Sequence, residues 1–290
     1  MKRLVALLFA AFTVFLSGGT ALAEVSYLGP AGTYSEEATI VYFGEQEKTV
    51  PAETVSDALQ LVMDGTCAYA VIPQENTIGG PVYKYIDTFL QNDKLVIVGE
   101  VNLPIRQTLL ALPGTKLEDV KTVLSHPQGI AQSKEWLAKN LPQAKVVEVS
   151  STAEGARRVA EDGDSSEAAI AASRTSNVYH LEILATDLQY TQTNLTRFYV
   201  VTTKNHQLLK AGHMALTAVG SAQYLPGLLA DLQHRGFDLV SIHDRTAKTL
   251  LGEYIYVLEL SGGKYDKLAD LSKKYDKKLQ IRLLGSFDVK

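Results

Sequence analysis

The sequence predicts an α/β fold followed by a smaller ferredoxin-like βαββαβ unit, and three observations carry that reading. Short apolar runs alternate with helical patterns through the first two thirds of the chain. A polar stretch, Lys204 to Gly212, then breaks the rhythm. Beyond it, a new order of strands and helices is punctuated by Pro226 at a helix start and Gly236 after its end.

Taken in order, the strand-like runs are Val25–Leu28, Tyr69–Ile72, Leu95–Glu100, Thr108–Leu112, Thr122–Ser125, Val146–Val149, Ala168–Ala172 and Phe198–Thr202. Helical spacing marks Ser56–Met63, Tyr83–Leu90, Ile130–Asn140 and Ala153–Glu161; in the last, Ala153, Ala156, Val159 and Ala160 fall on one face. Alternation of this kind implies a largely parallel sheet covered on both faces. From His213 the order is strand Ala215–Gly220, helix Pro226–Arg235, strands Asp238–Asp244 and Tyr254–Leu260, helix Lys264–Tyr275 and strand Gln280–Leu284.

Lys2 and Arg3 precede the apolar run Leu4 to Leu16, and small residues lead to Ala21-Leu22-Ala23. That is the order of a secretory signal, with cleavage expected between Ala23 and Glu24 and a periplasmic or secreted product. The apolar part is short for a transmembrane helix, so no membrane span is expected after cleavage. The expected segments are therefore 1–23 as signal, 24–204 as the main domain and 213–290 as the second.

The 290 residues carry 28 Lys and Arg against 32 Asp and Glu, a net charge of −4, which argues against a nucleic-acid partner. One cysteine, Cys67, excludes an intramolecular disulfide and a cysteine zinc site, and reads as a small buried hydrophobe. Six histidines lack metal spacing, and phosphate loops, dinucleotide fingerprints and serine elbows are missing from the sequence. Chemistry is left to hydroxyls, amides, an arginine or a lone carboxylate.

Four turns between strands and helices point to one ligand: Gly29-Pro-Ala-Gly-Thr-Tyr-Ser35, Pro73-Gln-Glu-Asn-Thr-Ile-Gly-Gly-Pro81, His126-Pro-Gln-Gly129 and Ser150-Ser-Thr152. Each opens a helix, where free amides and the positive end of the helix dipole favour an anion. Strand carboxyl ends are also where α/β sheets bind ligands. Four together suit a small, doubly anionic molecule. Taken singly, Ser35, Thr77 and Ser151 also read as N-caps, and Ser151 with Glu154 as a capping box.

These motifs resemble those of the prephenate dehydratase family. Gly29 to Ser35 resembles its G-P-x-G-T-[FY]-S, and Pro73-Gln-Glu-Asn-Thr77 with Gly80 and Val82 its P-[IV]-E-N-S…G-x-V. Ser125-His-Pro-Gln128 with Gln132 and Trp136, Ser151-Thr-Ala153 and Asn194-Leu-Thr-Arg-Phe198 resemble its S-H-P-Q…Q…W, S-T-A and N-x-T-R-F. The resemblance implies two α/β lobes around a cleft, like type II periplasmic binding proteins, followed by an ACT regulatory domain. It also implies a homodimer or higher homo-oligomer.

The implied reaction takes prephenate to phenylpyruvate, carbon dioxide and water without a cofactor. Thr196, Arg197 and Asn76 map onto the catalytic motif, Thr196 as donor to the departing hydroxyl and Arg197 as a carboxylate clamp. A salt bridge is the other reading of Arg197. Thr33, Ser35, Thr77, Gln132, Ser151 and Thr152 would bind substrate and Phe198 would wall the cleft. Glu75 reads equally as a capping or buried-pair carboxylate, and His126 as a structural hydrogen-bonder.

Leu225-Pro226-Gly227-Leu228 resembles the first ACT ligand turn. The second motif, E-S-R-P, reads His243-Asp244-Arg245-Thr246, keeping only Arg245. Further departures are Gln74 for an aliphatic residue, and Gln107 after Arg106 where the family often has histidine. Arogenate as substrate, a prephenate decarboxylase, and a non-catalytic periplasmic binding protein for an aromatic or dicarboxylic acid are the competing readings.

Overall fold

The computed structural model describes residues 24–203, 211–263 and 266–290; the expected signal, 1–23, and most of the polar connector lie outside them. In chain order the first lobe contains β1 (Val25–Leu28), α1 (Tyr34–Phe43), β2 (Thr49–Ala52), α2 (Val55–Met63), β3 (Tyr69–Asn76), β4 (Gly80–Pro81), α3 (Tyr83–Gln91) and β5 (Leu95–Pro104). The second contains β6 (Thr108–Ala111), β7 (Thr122–Ser125), α4 (Pro127–Asn140), β8 (Lys145–Glu148), α5 (Thr152–Asp162), β9 (Glu167–Ala171), α6 (Thr175–Tyr179) and β10 (Glu182–Ala185). The chain returns to the first lobe through β11 (Leu195–Thr203).

The C-terminal unit is β12 (His213–Ser221), α7 (Leu225–His234), β13 (Phe237–Thr246), β14 (Glu253–Gly262), α8 (Asp266–Tyr275) and β15 (Leu279–Phe287). Its strand order, β13-β14-β12-β15, is the antiparallel ferredoxin-like arrangement. β15 meets β5 at one bridge, Gly285 to Ile97, joining both units in one sheet. A Cβ on Gly285 would lie 2.0 Å from the Ile97 carbonyl oxygen, so only glycine permits this approach.

The sheets are mixed, which corrects the largely parallel expectation. β11 runs antiparallel to β3 and β5, and β6 antiparallel to β9 and β10. The cause is connectivity: β11 re-enters the first lobe from the second. Three strands have no counterpart in the sequence reading: β4 is a two-residue pairing beside β3, and β2 and β10 end their sheets, where an edge place tolerates Pro51.

Alternation along β11 divides its two faces. Phe198 and Val200 pack with Ala38, Val71 and Val101 on the α1 side. Tyr199 and Val201 pack with Tyr85, Phe89, Val257 and Phe287, joining the first lobe to the C-terminal unit. Cys67 is buried in that second cluster. Among the described residues, no helix is long and apolar enough to cross a membrane.

Candidate active site

A cleft of about 480 Å³ lies between the lobes, reached by the starts of α1, α4 and α5 and the outer ends of β3 and β11. First-turn amides of a helix lack intrahelical acceptors, so three such starts give a site for negative charge. Thr33 precedes α1 and donates its hydroxyl to the Leu28 carbonyl, 3.0 Å. Ser35, in the first turn, is buried against the cleft. Ser151 caps α5, its Oγ accepting from Glu154 N at 3.0 Å, and Thr152 follows it.

His126 caps α4 through Nδ1, which accepts from Gln128 N at 3.2 Å. That bond requires a neutral ring with its proton on Nε2. Burial lowers the imidazole pKa, more than Glu148 raises it. Among the described residues, those lining the cleft include no lysine, arginine, aspartate or glutamate. Anion binding there must therefore rest on helix amides, hydroxyls and side-chain amides.

Asn76 and Thr196 are paired across β3 and β11. Asn76 Nδ2 donates to Thr196 Oγ1 at 2.9 Å and to Asn194 Oδ1 at 2.8 Å. Asn76 Oδ1 accepts from Ile78 N, Gly79 N and Gln128 Nε2 at 3.0, 2.8 and 3.1 Å. Donors on one end and acceptors on the other set the amide orientation. Thr196 Oγ1 is thereby an acceptor from Asn76, and its own proton remains free for a ligand in the cleft.

A chain of amides extends behind this pair. Gln132 Oε1 accepts from Asn194 Nδ2 at 3.0 Å and from Gln107 Nε2 at 2.8 Å, while Gln107 N donates to Gln189 Oε1 at 2.7 Å. Gln107, Gln128, Gln189 and Asn194 were not among the expected site residues. Gln107, Gln128 and Asn194 stand inside or beside quoted motifs, a position that could have marked them; Gln189 has no such signal.

Two expected site residues turn elsewhere. Arg197 follows Thr196 on a strand, so its side chain leaves by the opposite face. Its Nη1 lies 3.0 Å from Glu259 Oε2 and its Nε 3.1 Å from Glu100 Oε1, with Glu75 at 3.8 Å. The guanidinium is a partly buried ion-pair partner of two buried carboxylates, and Arg197 is not among the residues lining the cleft. Thr77 also stays outside the cleft lining; its Oγ1 donates to the Thr193 carbonyl and accepts from Leu195 N, each at 3.0 Å. It ties β3 to the entry of β11.

Phe198, fully buried, walls the cleft beside Thr196. Arg106 points to Asp187, 2.6 Å away at the exposed surface. In the C-terminal unit, Pro226 and Gly227 lie in the first turn of α7, and Leu228 is buried in that unit's core. Arg245 holds Asp87 of α3 at 2.6 and 2.9 Å and covers the Tyr83 ring. Within the chain, Leu228 packs in the core of its unit and Arg245 docks that unit on α3.

Residues 25–206 match the family model described as prephenate dehydratase. The chain is 35% identical to a prephenate dehydratase of Corynebacterium glutamicum over 82% of this chain and 78% of that one. It is 32% identical to a prephenate dehydratase of Lactococcus lactis subsp. lactis over 92% and 98%. A solved prephenate dehydratase from Arthrobacter aurescens, in complex with L-Phe, superposes with a TM-score of 0.82 at 29% identity, covering 92% of this chain and 90% of that one. A structure described as GqqA, a quorum quenching acylase, has the same TM-score at 23% identity, covering 92% and 98%, a likeness of fold alone. The chain belongs to the prephenate dehydratase family, enzymes that remove carbon dioxide and water from prephenate.

Proposed function

We propose that this enzyme works outside the cytoplasm, with Thr196 as the hydrogen-bond donor to the departing hydroxyl and the helix starts as the seat of the two substrate carboxylates. The observation that carries this reading is the Asn76 Nδ2 to Thr196 Oγ1 bond, which leaves the threonine proton for the ligand. As the ring carboxylate leaves as carbon dioxide, its electron pair aromatises the ring and expels hydroxide, which takes up one proton to become water. A threonine hydroxyl is a weak acid. Its contribution is a positioned donor to developing negative charge, with the proton relayed through it from solvent.

The substrate carboxylates meet the first turns of α1 and α5, where Thr33, Ser35, Ser151 and Thr152 stand. Gln132 lies behind them, buried and held by Gln107 and Asn194. The absence of Asp and Glu from the cleft lining favours prephenate over arogenate, whose ammonium would need an acidic partner.

The assay is phenylpyruvate formation from prephenate at neutral pH, read by absorbance in base, with purified residues 24–290 and Thr196→Ala. The expected loss in turnover is roughly a hundredfold or more. A Thr196→Ala enzyme with unchanged turnover would sink the assignment.

Export rests on the order Lys2-Arg3, apolar run, Ala21-Leu22-Ala23. The mass of the protein recovered from the extracytoplasmic fraction should begin at Glu24; an intact Met1 in the cytoplasm refutes it. The C-terminal βαββαβ unit is read as an ACT domain that pairs with a second copy, and light scattering should give at least a dimer. L-Phe is the first amino acid to titrate by calorimetry, because the Arthrobacter relative was solved with it.

A further inference from the structure

The Asn76–Thr196 pair is backed, on the opposite face of the sheet, by two residues that reach the C-terminal unit. Next to Thr196, Arg197 pairs with Glu259 of β14 at 3.0 Å. Next to Asn76, Glu75 Oε1 lies 3.4 Å from His243 Nε2 of β13. The His243 Nδ1 lies 3.2 Å from Gln74 Nε2 and 3.3 Å from the Tyr85 hydroxyl.

Glu259 is buried, and two of its partners are on the catalytic strand. Its Oε2 accepts from Arg197 Nη1 at 3.0 Å and from the Tyr199 hydroxyl at 2.9 Å, and its Oε1 faces His213 Nδ1 of β12 at 3.3 Å. A buried carboxylate stripped of such partners is costly. Docking of the C-terminal unit and the direction of Arg197 are therefore linked. Glu100, His213 and Glu259 bring donor atoms within 4.8 Å of one another, the spacing of a cation site, and the Arg197 guanidinium already supplies a cation between the two carboxylates.

The backbone explains why such an anchor matters. The pairing of β11 with β3 shifts register between Arg197 and Phe198, one residue beyond Thr196, while the pairing with β5 runs on unshifted there. A bulge loosens the ladder and re-aims the neighbouring side chains. Thr196 itself is still in register with Asn76 and Leu103, and Arg197, the last residue before the shift, is held on the far face by Glu259 and Glu100.

We propose that Arg197 is a positioning residue, and that Glu259 of the C-terminal unit, acting through it, sets the aim of the Thr196 hydroxyl into the cleft. The inference rests on Thr196 as the donor, and its test keeps the two separable. Groups around the clamp also give it a proton readout. Burial and the neighbouring Glu259 push Glu100 up to about 8, against the lowering pull of Arg197 and of Asn102 Nδ2 at 3.0 Å. Arg197, Tyr199, Glu75, Glu259 and His213 are the other titratable groups of this cluster. Deprotonation of Glu100 would put a negative charge beside the Arg197 guanidinium, in competition with its contact to Glu259.

The experiment measures kcat and KM across pH for the whole chain and for Glu259→Gln, Arg197→Met, Arg197→Lys, Glu100→Gln and Thr196→Ala. Glu259→Gln keeps the shape of the side chain and guards against simple unfolding, with melting temperature measured alongside. The expected result is a fall in kcat of roughly tenfold to a hundredfold in Glu259→Gln, with KM little changed, as for a misaimed group. Arg197→Lys should restore part of what Arg197→Met loses, and the alkaline change in kcat should vanish in Glu100→Gln. Full kcat in a folded Glu259→Gln, beside an inactive Thr196→Ala, overturns the clamp alone. Full turnover in Thr196→Ala overturns the donor assignment and the clamp with it.

Discussion

Gln128 of the second lobe donates through Nε2 to Asn76 Oδ1 of the first, 3.1 Å away, so one hydrogen bond between side-chain amides spans the cleft. Gly79 permits it: a Cβ there would lie 2.5 Å from Gln128 Nε2. Asn76 Oδ1 keeps two backbone donors when Gln128 is removed, so its bond to Thr196 survives. The cost should therefore fall on closure around substrate. Gln128→Ala is expected to raise KM by about tenfold, the worth of one net hydrogen bond, with kcat nearly unchanged. Steady-state kinetics decides; a fall in kcat at constant KM contradicts it.

His126 makes the enzyme acid-sensitive. Its folded pKa lies below the ordinary value of 6.5 because burial disfavours the charged ring. As pH falls through 6.5 the unfolded chain takes the proton first, so the fold loses stability from there down to the depressed folded value, and nothing further below it. Above 6.5 the α4 cap contributes in full. Melting temperature should decline as pH drops from about 7.5 to about 5, and His126→Asn, an N-cap without a titrating ring, should flatten the slope. Equal slopes in both proteins would refute the assignment.

Asn76, Gln132, Thr196 and Phe198 line the cleft and were reached only through their motifs, whereas the helix-start residues were legible from local turns. Thr33, Ser35, Ser151 and Thr152 meet at the cleft because each sits at a strand-to-helix turn, and such turns announce themselves by residue type. The direction of Arg197, for which a salt bridge was one of two readings, was illegible for a different reason. One step of strand alternation decides which face it takes, and the carboxylate that claims it is 62 residues away in another unit. The Gln107–Gln132–Asn194 chain was equally hidden, since amide partners 25 and 62 residues apart leave no periodic trace. β2 and β10 escaped as short edge strands, and the antiparallel entry of β11 follows from connectivity between lobes, which no local pattern encodes.

Arg106 offers a contrast to Arg197. Its partner Asp187 is exposed, with side chains 58% and 45% accessible, and its second contact is Gln192 at 3.1 Å. An exposed pair of this kind contributes at most about 1 kcal/mol. Arg106→Ala should leave KM for prephenate within about twofold and shift stability by less than about 1 kcal/mol. A large rise in KM would mean that this guanidinium reaches the substrate after all.

Gly155 is the place where one methyl group should move the cleft. It lies in α5, and a Cβ added there would meet the Leu124 carbonyl oxygen of β7 at 3.0 Å and Leu124 Cβ at 3.4 Å. Alanine would gain about 1 kcal/mol of helix propensity over glycine. Overpacking against a rigid backbone carbonyl costs about 1–3 kcal/mol, so the clash wins and α5 must shift off the sheet. Ser151 and Thr152, at the start of that helix, shift with it. Gly155→Ala is therefore expected to lower the melting temperature and raise KM together, although the residue lies within the helix. A more stable enzyme with unchanged KM would mean that the helix has slack against β7.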